Sequence, residues 1–118
     1  TAALAAAVRK VMQMNDVAAI ATFTVSGTTA RLMAKNRPAC PILALSSQPK
    51  VARQACLYYG VVPQLVEPPA DVEPLLKQIN SVAKDLQLAA AGDRIVVLTG
   101  HPVGAADGAR ALILVEVV

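Results

Sequence analysis

Apolar positions along the chain switch between two periods. Leu4, Val8, Val11 and Met12 recur at helical spacing, so residues 2–15 predict an amphipathic helix. Ala18 to Phe23 is a short run, apolar apart from Thr22 and ending in β-formers, which predicts a strand buried on both faces. A second helix is expected from near Ser26 to before Pro38, because the residue preceding a proline is pushed out of the helical region. "CPILALS" reads as a further buried strand. "SSQPKVARQACLYYG" carries the marks of a helix: Ser46 or Ser47 as cap, Pro49 in the first turn and Gly60 just past the end.

"VVPQLVE" predicts a third strand, and its Pro63 suits an edge or a strand start. After the turn at Pro68-Pro69, Asp71 can cap a long helix whose stripe is Val72, Leu75, Ile79, Val82 and Leu86. Pro74 falls in the first turn, where no intrahelical donor is needed. "AGDRIVVLTG" predicts a turn followed by a strand from Arg94 to Thr99, "HPVGAADG" a loop, and "ARALILVEVV" a last strand. The alternation of strands and helices implies a mainly parallel sheet covered by helices on both sides. The last two strands are joined by too little chain for a parallel crossover, so the fifth should run antiparallel to the fourth.

Composition narrows the function classes. With 118 residues, 55% of them hydrophobic and 16% charged, the chain is expected to be one domain, residues 1–118, with a well-filled interior. No apolar run is long enough for a membrane span. The net charge of +3 is spread along the chain, and only one Phe and two Tyr are available for stacking, which argues against nucleic acid as a partner. Two cysteines, Cys40 and Cys56, are too few for a disulfide framework or a zinc site and read as reduced packing thiols of a cytoplasmic protein. Thr1 in place of an initiator Met marks a processed chain or a fragment, and the opening "TAALAAAVRK" lacks the order of a secretory signal.

The candidate chemistry gathers in "ATFTVSGTTARL". Thr24, Ser26, Gly27, Thr28 and Thr29 follow an apolar strand and precede a helix. A helix start offers free N–H groups and a partial positive charge, a glycine lets the backbone come close, and hydroxyls add donors. The stretch reads either as a plain capped turn or as a cradle for a phosphate. If the first strand is central, its end is the topological switch point where open α/β sheets bind ligands.

Other arrangements are sparse. His101 is the only histidine; it reads as an exposed loop residue or, in a small independent enzyme, as a general base, with no Ser or Cys paired to it. The carboxylates are scattered, and Asp71 with Glu73 is accounted for by the dipole of one helix start. Gly100, Gly104 and Gly108 lie between two strands, so they are not a dinucleotide fingerprint. They read as a connecting loop or as a lid over the same crevice.

Taken in order, several pieces resemble the C-terminal domain of pyruvate kinase: Ser26-Gly27-Thr28-Thr29-Ala30, Arg37-Pro38 with Cys40-Pro41-Ile42, Ala52-Arg53-Gln54 with Leu57-Tyr58 and Gly60-Val61, and Gly92-Asp93. The resemblance covers nearly the whole chain. It implies a three-layer αβα domain with a five-stranded, mostly parallel sheet, order 3-2-1-4-5, the last strand antiparallel. It also implies a regulatory and oligomerisation role in a glycolytic transferase. Phosphoryl transfer from phosphoenolpyruvate to ADP, with Mg²⁺ and K⁺, would belong to a separate barrel of about 250 residues that this chain cannot hold. The chain alone is then expected to be non-catalytic, with no cofactor of its own.

By the same resemblance, the domain binds allosteric effectors, commonly sugar phosphates such as fructose 1,6-bisphosphate, and packs against its copy in a homo-oligomer. Thr24, Ser26, Gly27, Thr28 and Thr29 match the phosphate-binding stretch, and Gly100, His101 and Gly104 fall in the effector loop. Where many fructose-bisphosphate-responsive members carry a Trp and an Arg, this sequence has Pro68 and Leu75, and its last loop is "HPVGAADGARA". A missing cation removes a charge-assisted partner of about 1.5–3 kcal/mol from a second phosphate. That favours a nucleotide monophosphate, another monophosphate, a different ligand or none. A free-standing phosphate-ligand module without a catalytic partner is the alternative. "ALILVEVV" is either covered within the chain or, as an edge strand, paired with a second subunit.

Overall fold

In the computed structural model, residues 2–14, 16–24, 28–35, 40–99 and 111–118 are described. They form α1 (Ala2–Met14), β1 (Val17–Phe23), α2 (Thr28–Lys35), β2 (Ile42–Ser46), α3 (Pro49–Ala55), β3 (Val61–Leu65), α4 (Val72–Asp85), β4 (Arg94–Thr99) and β5 (Ala111–Glu116). The strands make one sheet in the order β3-β2-β1-β4-β5. β1 pairs in parallel with β2 and with β4, β2 with β3 in parallel, and β4 with β5 antiparallel. This is the mostly parallel architecture expected from the alternation of periods.

The two faces of the sheet bury two apolar layers, because successive side chains of a strand point to opposite sides. Ala19, Ala21, Leu43, Leu45, Ile95 and Val97 face α4, which lays Leu75, Ile79 and Ala83 on them. Ile20, Ile42, Val96 and Leu98 face the other way, onto Val8 of α1 and Met33 and Ala34 of α2. The central strands therefore read as apolar runs, broken only by Thr22 in β1, and are buried above and below. Leu75 and Ile79 are fully sequestered, at 0% and 2% exposure, a contribution of about 1.5–3 kcal/mol each. The stripe read from the sequence included Leu86. The helix ends at Asp85, Leu86 becomes its C-cap at 40% exposure, and the small Ala83 takes the place against the sheet.

Helix ends follow local chemistry, with one correction. The Asp71 carboxylate accepts from Val72 N at 2.8 Å and begins α4 as anticipated. At α3 neither Ser46 nor Ser47 is the cap. Gln48 is the N-cap, with no side-chain cap bond, and Ser46 is the buried last residue of β2. The Ser46 hydroxyl instead accepts from Gln48 N at 3.1 Å, turning the chain out of the sheet. Pro49, in the first turn, supplies the preset φ that a side-chain cap would otherwise support. Gly60 adopts φ +70, in the left-handed region, where it turns the chain into β3.

The two edges of the sheet differ. Gly60 O accepts from Ile42 N and Val66 N donates to Ser46 O, so even-numbered residues of β3 turn their backbone towards β2. Pro63 then faces outward, where its missing N–H breaks no ladder bond and blunts the edge. On β5, Val117 N donates to Asp93 O at 2.8 Å, which sets the odd-numbered residues towards β4. Leu112, Leu114 and Glu116 therefore present their backbone groups outward, with no proline among them.

Candidate functional site

Buried polar residues gather at one end of the sheet. Among the described residues they are Thr22, Thr24, Ser46 and Thr99, all at most 5% exposed. Thr24 follows β1, Ser46 ends β2 and Thr99 ends β4, so three of them mark the carboxyl ends of adjacent central strands. From β1 the chain steps to β2 and β3 on one side, then crosses back to β4 on the other. The carboxyl ends of β1 and β4 are thus the switch point: the chain leaves β1 through α2 towards β2 on one side and leaves β4 towards β5 on the other.

Thr24, Ser26, Gly27, Thr28 and Thr29 stand at this point in the chain. Thr24 is 5% exposed, and its N–H donates to Leu45 O at 2.9 Å, so that amide belongs to the sheet and not to a ligand. Ser26 and Gly27 lie outside the described residues. Thr28 and Thr29 open α2, and their side chains are outside the described set. Gly100, His101 and Gly104 also lie outside it. The segment holding them leaves from Thr99 and returns at Ala111, which are paired partners, so both of its ends are on the switch-point edge.

The two departures from the resemblance take different places. Leu75 is at 0% exposure inside the α4 layer, so that position offers nothing polar to a ligand. Pro68 lines an open hollow of about 520 Å³ with Ser47, Gln48, Leu65, Val66 and Glu67, beyond the ends of β2 and β3. The hollow lies on the same edge as the switch point but over the neighbouring strands. Ser46 and Thr99 escaped the sequence reading as members of this edge; the available signal was that each apolar strand run ends on a hydroxyl residue.

No group of three or more His, Cys, Asp or Glu among the described residues could hold a metal ion. No helix among the described residues is long and apolar enough to cross a membrane. Cys40, half-buried, has its thiol pushed up by burial, against the smaller opposing effect of backbone hydrogen bonds at Cys40 and Ile20.

The fold defines an open, wound α/β domain with a hydroxyl-rich switch-point edge, a type that binds ligands at that edge. Comparison with known proteins makes the assignment specific. The family "Pyruvate kinase, alpha/beta domain" matches residues 2–113, and the chain belongs to that family. It is 36% identical over 104 residues to pyruvate kinase of Lactococcus lactis, covering 88% of this chain and 21% of that protein. It is 38% identical over 117 residues to pyruvate kinase 2 of Synechocystis, covering 98% of this chain and 20% of that protein. A crystal structure of a pyruvate kinase from Cryptosporidium parvum superposes with a TM-score of 0.85 at 25% identity, covering 98% of this chain and 22% of that one. The chain therefore spans about a fifth of the length of these relatives.

Proposed function

We propose that residues 1–118 form the regulatory and assembly domain of a cytoplasmic pyruvate kinase, non-catalytic by itself, with a phosphate-effector site at the β1–α2 junction. The observation that carries this reading is the position of the junction, at the switch point of the sheet beside the ends of the 100–110 segment. Ser26, Gly27, Thr28 and Thr29 supply amides and hydroxyls at the start of α2, where the helix dipole favours an anion. Thr24 acts as a buried support, since its amide is committed to Leu45. With Leu75 buried, no cation comes from that position for a second phosphate, which favours a monophosphate such as a sugar monophosphate or AMP. Phosphoryl transfer between phosphoenolpyruvate and ADP would take place in the other domains of the enzyme, which are this chain's first partners.

Assembly is assigned to β5. Its outward amides at Leu112, Leu114 and Glu116 suit isologous antiparallel pairing with a second copy, whereas Pro63 blunts the β3 edge. The effector site is tested by amide NMR of the 118-residue chain with fructose 1,6-bisphosphate, glucose 6-phosphate, ribose 5-phosphate and AMP. Shifts concentrated at residues 24–30 and 100–108, strongest for a monophosphate, are expected. Shifts scattered elsewhere, or none at millimolar ligand, overturn the site.

A further inference from the structure

The two residues after β5 are held by two separate elements. Val117 N donates to Asp93 O and Val117 O accepts from Gly92 N, both at 2.8 Å. One residue of the outer strand thus faces two residues of the turn before β4, which makes a β-bulge. Gly92 adopts φ +95, and the turn is closed by Asp93 Oδ2 accepting from Ala90 N at 2.8 Å. The Val117 side chain, 3% exposed, enters the α4 layer of the core. Val118, 85% exposed, has no such anchorage for its side chain, yet its backbone is pinned to α4. Val118 N donates to Asn80 Oδ1 at 2.9 Å, and Lys84 Nζ donates to Val118 O at 2.9 Å.

From this geometry we infer that Val117 and Val118 form a strap that locks β5 in register and joins it to α4 as one body. An edge strand needs such a device. β5 is paired on one side only, and apolar residues occur on both of its faces: Leu112 and Leu114 on one, Ile113 and Val115 on the other. A slip of one residue would exchange those faces at small apolar cost, so side-chain pattern alone specifies the register weakly. The bulge and the two bonds to α4 exist in one register only. A slip would withdraw Val117 from the core and turn Glu116 towards α4. The strap acts at one end of β5, while the 100–110 segment joins the other, about 20 Å away along the strand. Asn80 and Lys84 thereby set where Ala111 stands against Thr99, and a displacement of α4 is delivered to the outer edge of the sheet.

The test is amide hydrogen exchange on the full 118-residue chain carrying Asn80→Ala with Lys84→Met. The informative probes are the amides of Ile113 and Val115, which face β4, and those of Val96 and Leu98, which by the alternation of β4 face β1 and not β5. Loss of the two bonds is expected to speed exchange at Ile113 and Val115 roughly tenfold, with Val96 and Leu98 unchanged. Asn80→Asp with Lys84→Arg, which retains an acceptor and a donor, is expected to restore most of the protection. Unchanged exchange in β5 overturns the strap. An equal rise at Val96 and Leu98 also overturns it, because Asn80 and Lys84 then support the whole fold and not the register of one strand.

Discussion

Thr22 lies near the carboxyl end of the central strand β1, opposite Ala44 on β2 and Leu98 on β4, at 1% exposure. Its Oγ1 is buried with no hydrogen-bond partner. A buried hydroxyl without a partner costs about 1–3 kcal/mol of desolvation that nothing returns. Valine has the same shape, puts a methyl in place of the hydroxyl and suits a strand at least as well. Thr22→Val is therefore expected to stabilise the fold, and we take the lower end, about 1 kcal/mol, because the surroundings relax little. With a urea m-value of about 1–3 kcal/mol/M, the midpoint moves up by about 0.3–1 M with m unchanged. The melting temperature rises by about 4 °C for a chain of this size. Thr22→Ser is the control: it keeps the hydroxyl and deletes the methyl, so it should lose about 1 kcal/mol. Urea and thermal unfolding followed by circular dichroism read both variants. A Thr22→Val protein that unfolds at lower urea with the same m-value would refute the reasoning, since the hydroxyl would then hold a partner such as a buried water.

Two further outcomes follow from the edge and the thiols. Leu114→Pro removes one outward N–H of β5 without touching the β4 ladder, so the monomer should remain folded by circular dichroism. Sedimentation velocity should then show self-association of the parent chain lost in the variant; an unchanged dimer fraction places the interface elsewhere. Iodoacetamide at pH 8 should alkylate exposed Cys56 well before Cys40, whose thiol burial keeps protonated. Because the folded-state value of Cys40 is raised, the unfolded chain releases this proton first. The contribution of Cys40 to stability is then present below the unfolded value and is lost as pH rises through the folded one. Equal labelling of the two cysteines in the native chain, followed by peptide mass spectrometry, would contradict the burial assignment.

Much of the architecture was legible because its causes are local. Apolar runs without polar interruption, Ile42 to Leu45 and Ile95 to Leu98, mark strands covered on both faces whatever their partners are. Asp71 caps α4 through its neighbouring amide, and Pro63 avoids a central ladder because it lacks a donor. Such features depend on a few adjacent residues, and they point to the same family that the comparisons reach. The hydroxyl-rich junction was legible for the same reason, as a composition change between two periods.

The tertiary structure decided what depends on distant partners. Ser46 looks like a helix cap in sequence; the sheet buries it, and its hydroxyl serves the turn at Gln48. Leu86 continues the apolar stripe of α4 in sequence, but the helix has already ended and the core is closed by Ala83. Thr24 matches a phosphate-binding pattern, yet its amide is taken by Leu45 of the neighbouring strand. Val117 and Val118 read as two more apolar residues of a strand end, and only the fold brings Asn80, Lys84 and the Gly92-Asp93 turn against them. Local propensity and periodicity are written into the chain, because each residue carries its own conformational preference. Which donor meets which acceptor is set by the winding of the sheet, which brings together residues as far apart in sequence as 80 and 118.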